Sequence, residues 1–178
     1  MLRAEHRDSK DIDLFITDPQ LLGHLSPRLA GETIWNTEAY DEAGNALKLR
    51  YPEGEIDIIV ATPISDLPTD IYKFQGTEIR IEHPVEIILK KLIYRDSGFK
   101  PRDIFDTAVV LHEYGDELRA QLHFASKSKT ALAKRISEIP QAYFETAMAE
   151  LDIRPRWEWI APQALQRTLE LVNDIPAQ

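Results

Sequence analysis

The 178-residue sequence contains no cysteine. Disulfides, thiolate nucleophiles and cysteine-ligated metals are therefore excluded, and a reducing, cytoplasmic location is the default expectation. No apolar run approaches the roughly 20 residues that span a bilayer, so a membrane partner is not expected. The start, MLRAEHRDSK, is charged and has no apolar segment, unlike a secretory leader. Positive charge is also scarce: 21 Lys and Arg stand against 30 Asp and Glu, for a formal net charge of −9. A protein living on non-specific contacts to nucleic-acid backbone would show the opposite balance. There is no glycine-rich phosphate loop, serine-nucleophile motif or zinc pattern. The five histidines (His6, His24, His83, His112, His123) have no metal-ligand spacing, and structural or surface roles are expected of them.

What is present is organised around RDSKDIDLFI, residues 7–16. It reads as a polar turn running into a short strand, Ile12 to Ile16. Residues i and i+2 of a strand share a face, so Asp11 and Asp13 project side by side. Two such carboxylates repel unless a cation lies between them. Mg²⁺ is the usual choice, held by one or two carboxylates plus substrate phosphates; the alternative is a turn with two surface acids flanking a strand.

Asp18-Pro19 is a helix start, and the leucines at 21, 22, 25 and 29 keep helical spacing until Pro27 breaks the run. Thr33 to Tyr40 is rich in β-branched and aromatic residues. Asp41 to Asn45, with Gly44-Asn45, reads as a hairpin loop, and Ala46 to Tyr51 alternates as a half-solvated strand. Glu55 to Ala61 is strongly β-forming and carries Asp57 amid isoleucines. Its carboxylate is costly to bury without a partner. Either it faces solvent on an edge strand, or it lies beside Asp11 and Asp13 on a neighbouring strand. Ile71 to Phe74 and Thr77 to Ile81 read as two short strands joined at Gln75-Gly76.

From Pro84 the period becomes helical. The first helix carries Lys91 and Arg95 one turn apart with no carboxylate partner on the helix; either they form a solvated flank or they face an anion or an acid elsewhere. Glu86 and Lys90, on the other flank, read as an ordinary surface pair. A second helix opens at Pro101, and Asp103 and Asp106 share a face at its start, where acids complement the helix dipole. An acid pairing with Lys91 across the helix hairpin would be the functional alternative. Helical patterns continue through 118–124, 130–136, 142–151 and 162–172. Strands precede about residue 82 and helices follow, which is α+β, with a sheet region at 1–82 and a helical region at 83–178 packed on it. Residues 61–70 and 152–162 read as connections.

Four pieces together carry a resemblance: Arg7-x-Ser9-x-Asp11-Ile12-Asp13, EIDIIV with Asp57, Glu86-(x)4-Lys91-Leu92-(x)2-Arg95, and Arg102-Asp103-(x)2-Asp106. In order and spacing the chain resembles the AbiEii-type nucleotidyltransferases of abortive-infection and type IV toxin–antitoxin systems, over about residues 5–112. The resemblance implies a polymerase-β-like nucleotidyltransferase fold with a helical C-terminal region. It implies Mg²⁺ as cofactor and NTP as substrate, with Asp11, Asp13 and Asp57 as metal ligands. Asp57 would also activate the acceptor hydroxyl, Lys91 would contact the triphosphate, and Asp103 would orient Lys91 or aid proton transfer. Ser9 and Arg95 join Lys91 as nucleotide-binding candidates. The implied partners are an antitoxin and an RNA (such as tRNA) or protein acceptor.

The family normally carries a Gly-Gly or Gly-Ser motif shortly before the first Asp-x-Asp, and this sequence has none there. A protein without that phosphate cradle is expected to bind nucleotide poorly. Exposed apolar area near Ile12 and Leu14 would then favour self-association. The rival reading is a non-catalytic interaction module on the same fold. A sequence-specific RNA-binding domain is the third; the one basic cluster it could use is Lys127, Lys129, Lys134 and Arg135.

Overall fold

The computed structural model describes residues 4–37 and 39–177, leaving aside the side chains of residues 30–33. Glu38, inside the β-branched stretch, lies outside the described residues. The chain divides into two compact units, residues 9–63 and residues 1–8 with 64–178.

The smaller unit is a four-stranded mixed sheet in the order β1-β4-β3-β2 with short helices. It runs β1 (Ile12–Ile16), α1 (Gln20–Leu25), a wide helical turn over Pro27–Gly31, α2 (Glu32–Trp35), β2 (Tyr40–Ala43), β3 (Ala46–Tyr51) and β4 (Gly54–Val60). The Asp18 carboxylate accepts the Gln20 N–H at 2.9 Å and so starts α1, as the Asp-Pro pair predicts. The stretch from Thr33 begins as helix rather than strand, and the strand starts only at Tyr40. The hairpin loop is correspondingly shorter than expected, because Asp41 to Ala43 pair with β3 and only Gly44 and Asn45 turn.

β1 and β4 are parallel, whereas β4–β3 and β3–β2 are antiparallel. The register sorts the side chains by face. Leu14, Ile58 and Leu47 form one row and Ile12, Ile56 and Leu49 the next, all on one face. Leu47, Leu49 and Ile58 are buried there, with Leu22, Leu25 and Trp35 from the short helices among the side chains packed with them. At the β1 edge Ile12 and Leu14 stay 54% and 39% exposed, which meets the expectation of open apolar surface at those two residues.

The larger unit holds the hairpin β5 (Asp70–Phe74) and β6 (Thr77–Ile81), followed by the helices. These are α3 (Pro84–Tyr94), α4 (Pro101–Glu113), α5 (Gly115–Gln121), α6 (Lys129–Ser137), α7 (Gln141–Ala149) and α8 (Ala164–Asp174), with 3₁₀ segments at Leu122–Ser128 and Pro155–Gln163. The fold class is thus α+β, a mixed sheet followed by helices. Its core joins Val85, Ile88, Leu89 and Leu92 of α3 to Ile104, Phe105, Ala108 and Val109 of α4, and to Leu171 and Val172 of α8. The expected connection at 152–162 is instead a packed 3₁₀ segment, because Trp157 and Ile160 are buried in this core. The first described residues are tied in as well. Arg7 bridges to Ile153, Asp8 N–H donates to the Asp152 carbonyl at 3.0 Å, and Arg154 N–H donates to the His6 carbonyl at 3.0 Å.

Candidate active site

In the small unit, one row of charged residues crosses the whole sheet. Asp13 on β1 is the register partner of Asp57 on β4, Asp57 that of Lys48 on β3, and Lys48 that of Asp41 on β2. Register partners on neighbouring strands share a face about 4.8 Å apart, so all four lie opposite the apolar rows. The edge-strand alternative for Asp57 is excluded, because β4 is interior to the sheet.

Lys48 Nζ donates to Asp57 Oδ2 at 2.8 Å and to Glu55 Oε2 at 2.7 Å. Burial works against its charge, but its bonds to Asp57 and Glu55 outweigh burial and raise its pKa. Glu55 is in turn held below the ordinary carboxylate range, first by its bond from Lys48. Arg50 completes the face, paired with Asp41 and with Glu55 Oε1, the latter at 3.3 Å.

Asp11 precedes β1 and lies outside the ladder, which begins at the Ile12–Ile56 pair. Its N–H lies 3.4 Å from Ser9 Oγ, so Ser9 shapes the turn that leads into the strand. Among the described residues no three His, Asp or Glu side chains gather closely enough to hold a metal ion. The pair Asp13–Asp57 nonetheless fits Mg²⁺ chemically: two hard carboxylates on one face, one of them neutralised by an ammonium that a dication would replace.

Gly54 sets the entry to this row. A Cβ built there would lie 1.9 Å from the Lys10 carbonyl oxygen. Only glycine lets the backbone just before Asp11 come this close to the start of β4.

The larger unit carries a second charged cluster, between α3 and α4. Lys91 donates to Asp106 Oδ2 and lies 3.1 Å from Asp103 Oδ1. Arg95 Nη1 donates to Asp103 Oδ1 at 3.1 Å, and the Lys100 N–H to Asp103 Oδ2 at 3.2 Å. The acids that Lys91 and Arg95 lack on their own helix are thus supplied by the next one.

Asp106, for which the sequence leaves both the helix dipole and a pairing with Lys91 open, is the centre of this cluster. It is fully buried and also accepts from Arg7 Nε and Nη2, one edge of the guanidinium, at 2.7 and 2.9 Å, and from His6 Nε2 at 2.6 Å. Burial raises its pKa, but the charge of Lys91 and the bonds from His6 and Arg7 prevail and hold it well below the usual range. Burial is the largest influence on His6 and lowers its pKa, so the imidazole is neutral and donates from Nε2. The signal that could have found this was Arg7: a cation fixed in the strand-entry motif needs an acid, and Asp106 shares its helix face with Asp103.

One expectation is corrected here. Glu86 and Lys90 are no surface pair, since both are 5% exposed. Glu86 accepts the Ile64 and Ser65 N–H groups at 2.7 and 3.0 Å, and Lys90 pairs with Glu82, because the flank that holds them is covered by the chain entering the unit. Of the basic residues Lys127, Lys129, Lys134 and Arg135, two bond to backbone carbonyls. Lys129 donates to the Asn173 and Ile175 carbonyls, and Arg135 to the Phe99 carbonyl at 3.0 Å, so both close chain ends of the core.

A family model described as nucleotidyl transferase AbiEii toxin, type IV TA system, matches residues 1–170. The chain belongs to the AbiEii nucleotidyltransferase toxin family. No curated protein and no solved structure matches it. The match spans the residues of both charged clusters. Membership makes the chain a type IV toxin–antitoxin nucleotidyltransferase toxin, which implies an antitoxin and a nucleotide substrate. Among the described residues no helix is long and apolar enough to cross a membrane.

Proposed function

We propose that this AbiEii protein transfers a nucleotide from an NTP to an RNA or protein acceptor in the cytoplasm, with Mg²⁺ as cofactor. The observation that carries the proposal is the register of Asp13 and Asp57, which sets two carboxylates side by side on one sheet face. When bound, Mg²⁺ would supply positive charge that offsets the charge developing on the leaving group. Asp13 and Asp57 would hold it, with Asp11 and Ser9 at the strand entry as further ligands for metal and phosphate. Asp57 would take the proton of the acceptor hydroxyl.

Lys91 is the proposed triphosphate cation. Asp103 and Asp106 fix its ammonium from two sides, and Arg95, held on Asp103, adds a second charge. Such fixed cations stabilise phosphoryl charge without reorganising.

Calorimetric titration of each of the four NTPs, with and without Mg²⁺, tests the reading. Mg²⁺-dependent binding by the wild type and its loss in Asp13→Asn are expected, followed by transfer of labelled nucleotide to an acceptor. Wild-type protein that binds none of the NTPs with Mg²⁺ would favour the non-catalytic interaction module.

A further inference from the structure

The β5–β6 hairpin is unlike the rest of its unit. Nine of its ten strand residues are exposed, among them Ile71, Tyr72, Phe74 and Ile79. A two-stranded ribbon alone is marginal in water. Its register pairs Tyr72 with Ile79 and Phe74 with Thr77, so Tyr72, Phe74 and Ile79 share one apolar face.

The ladder dictates which edge groups are free. The strands are joined by Gln75 and Gly76, whose φ values of 49° and 84° are those of a two-residue type I′ turn. Such a turn is closed by a hydrogen-bonded pair, here Phe74–Thr77. Pairs then alternate. Thr77, Ile79 and Ile81 therefore point their backbone groups at β5, and Glu78 and Arg80 point theirs outward along the open edge of β6.

We propose that the β6 edge is a self-association surface, and that its occupant is β6 of a second copy of this chain, antiparallel across a two-fold axis at Ile79. Only Glu78 and Arg80 offer outward backbone groups, so only registers that match these residues to each other form bonds. Centring on Glu78 sets Glu78 against the partner's Glu78, and centring on Arg80 sets Arg80 against the partner's Arg80. Centring on Ile79 sets Glu78 against the partner's Arg80 twice, with Ile79 against the partner's Ile79 between them. Strand Thr-Glu-Ile-Arg-Ile is thus self-complementary in charge, backbone pattern and apolar face at one register. Arg80 has no ion-pair partner among the described residues, and Glu78 has only Lys73 at 4.0 Å, so both are available. β5 has no such register: centred on Tyr72, it opposes Ile71 to Lys73 and Asp70 to Phe74. The contact is small, so the dimer is weak and concentration-dependent. This surface is separate from Ile12 and Leu14, where the sequence alone suggested self-association.

The chain has no cysteine, so a single introduced one reports the axis. Non-hydrogen-bonded antiparallel partners have Cα atoms about 4.5 Å apart, within disulfide range. Ile79→Cys is expected to cross-link into dimers under mild oxidation, and Ile71→Cys is not. By sedimentation equilibrium, Arg80→Glu should weaken dimerisation at least about tenfold, and Glu78→Arg with Arg80→Glu should restore it. All these positions are exposed, so folding is not at stake. Wild-type protein that stays monomeric at the highest soluble concentration overturns the proposal. So does a dimer that Arg80→Glu leaves intact, or one abolished by Leu14→Lys instead.

Discussion

Lys48 sits between Asp57 and Glu55 on the polar face of the sheet, with Asp13 on the far side of Asp57. The ammonium cancels one charge of a carboxylate pair that would otherwise repel. Replacing Lys48 by Met should leave Asp13 and Asp57 uncompensated. The loss without divalent ions should be modest, on the order of 1 kcal/mol, because the pair is partly solvated. Adding Mg²⁺ should then raise the melting temperature of Lys48→Met more than that of the wild type. Equal shifts in the two proteins would mean that the carboxylate pair is not the metal's site.

Asp106 is the most consequential single acid of the helical unit. Its removal leaves Lys91 and Arg7, 12% and 10% exposed, without their shared counter-ion, and His6 without its acceptor. Breaking a buried ionic cluster from one side typically costs about 3–5 kcal/mol. Asp106→Ala should lose that much in urea unfolding. Asp103→Asn should lose less, since Lys91 keeps Asp106, yet it frees Arg95 and should weaken NTP binding. A smaller loss for Asp106→Ala than for Asp103→Asn would reverse this order of importance.

The same cluster sets the acid limit of the fold. Both Asp106 and His6 have folded pKa values below their ordinary ones. For such groups the unfolded chain binds more protons, so stability is full above the unfolded pKa and falls as pH drops. His6 should bring in a decline from about pH 6.5 downward, and Asp106 a second one below about pH 4. His6→Gln, which keeps a donor toward Asp106, should flatten the upper window only, and Asp106→Asn the lower. Unfolding free energies across pH 3–8 separate the two.

Much of this was legible because local and global signals agreed. Ile12–Ile16 and Ala46–Tyr51 follow from period and punctuation alone, and their bounds match the structure, as does the start of α3 at Pro84. Spacing leaves Lys91 and Arg95 as a solvated flank or as cations facing an anion or an acid, and the structure supplies the acids. Which acid they would meet depends on how α3 and α4 pack, and a helix dipole explains Asp106 equally well on paper. Glu86 and Lys90 looked solvated because an i,i+4 pair carries no mark of burial. What covers it is the chain at Ile64 and Ser65, far away in sequence. Lys48 likewise looked like the polar half of an alternating strand, and only register put it on Asp57.

Gly54 offers the sharpest test of how the carboxylate strand is placed. The sequence marks it as a turn residue after Pro52-Glu53, but its constraint is proximity. The Lys10 carbonyl carbon lies 2.8 Å and its oxygen 1.9 Å from where a Cβ would be. Both atoms are backbone, so no rotamer change relieves the clash, and the segment leading into Asp11 must move. Gly54→Ala should therefore cost about 2–4 kcal/mol. It should also impair Mg²⁺-dependent NTP binding under conditions where the protein remains folded, because Asp11 and Asp13 follow directly on the displaced segment. Gly44→Ala is the control: nothing lies within 4 Å of its Cβ position, and it sits in the β2–β3 turn. If both substitutions prove equally mild, the close approach of Lys10 to β4 does not position the strand, and the alignment of Asp13 with Asp57 must rest on the β1–β4 ladder alone.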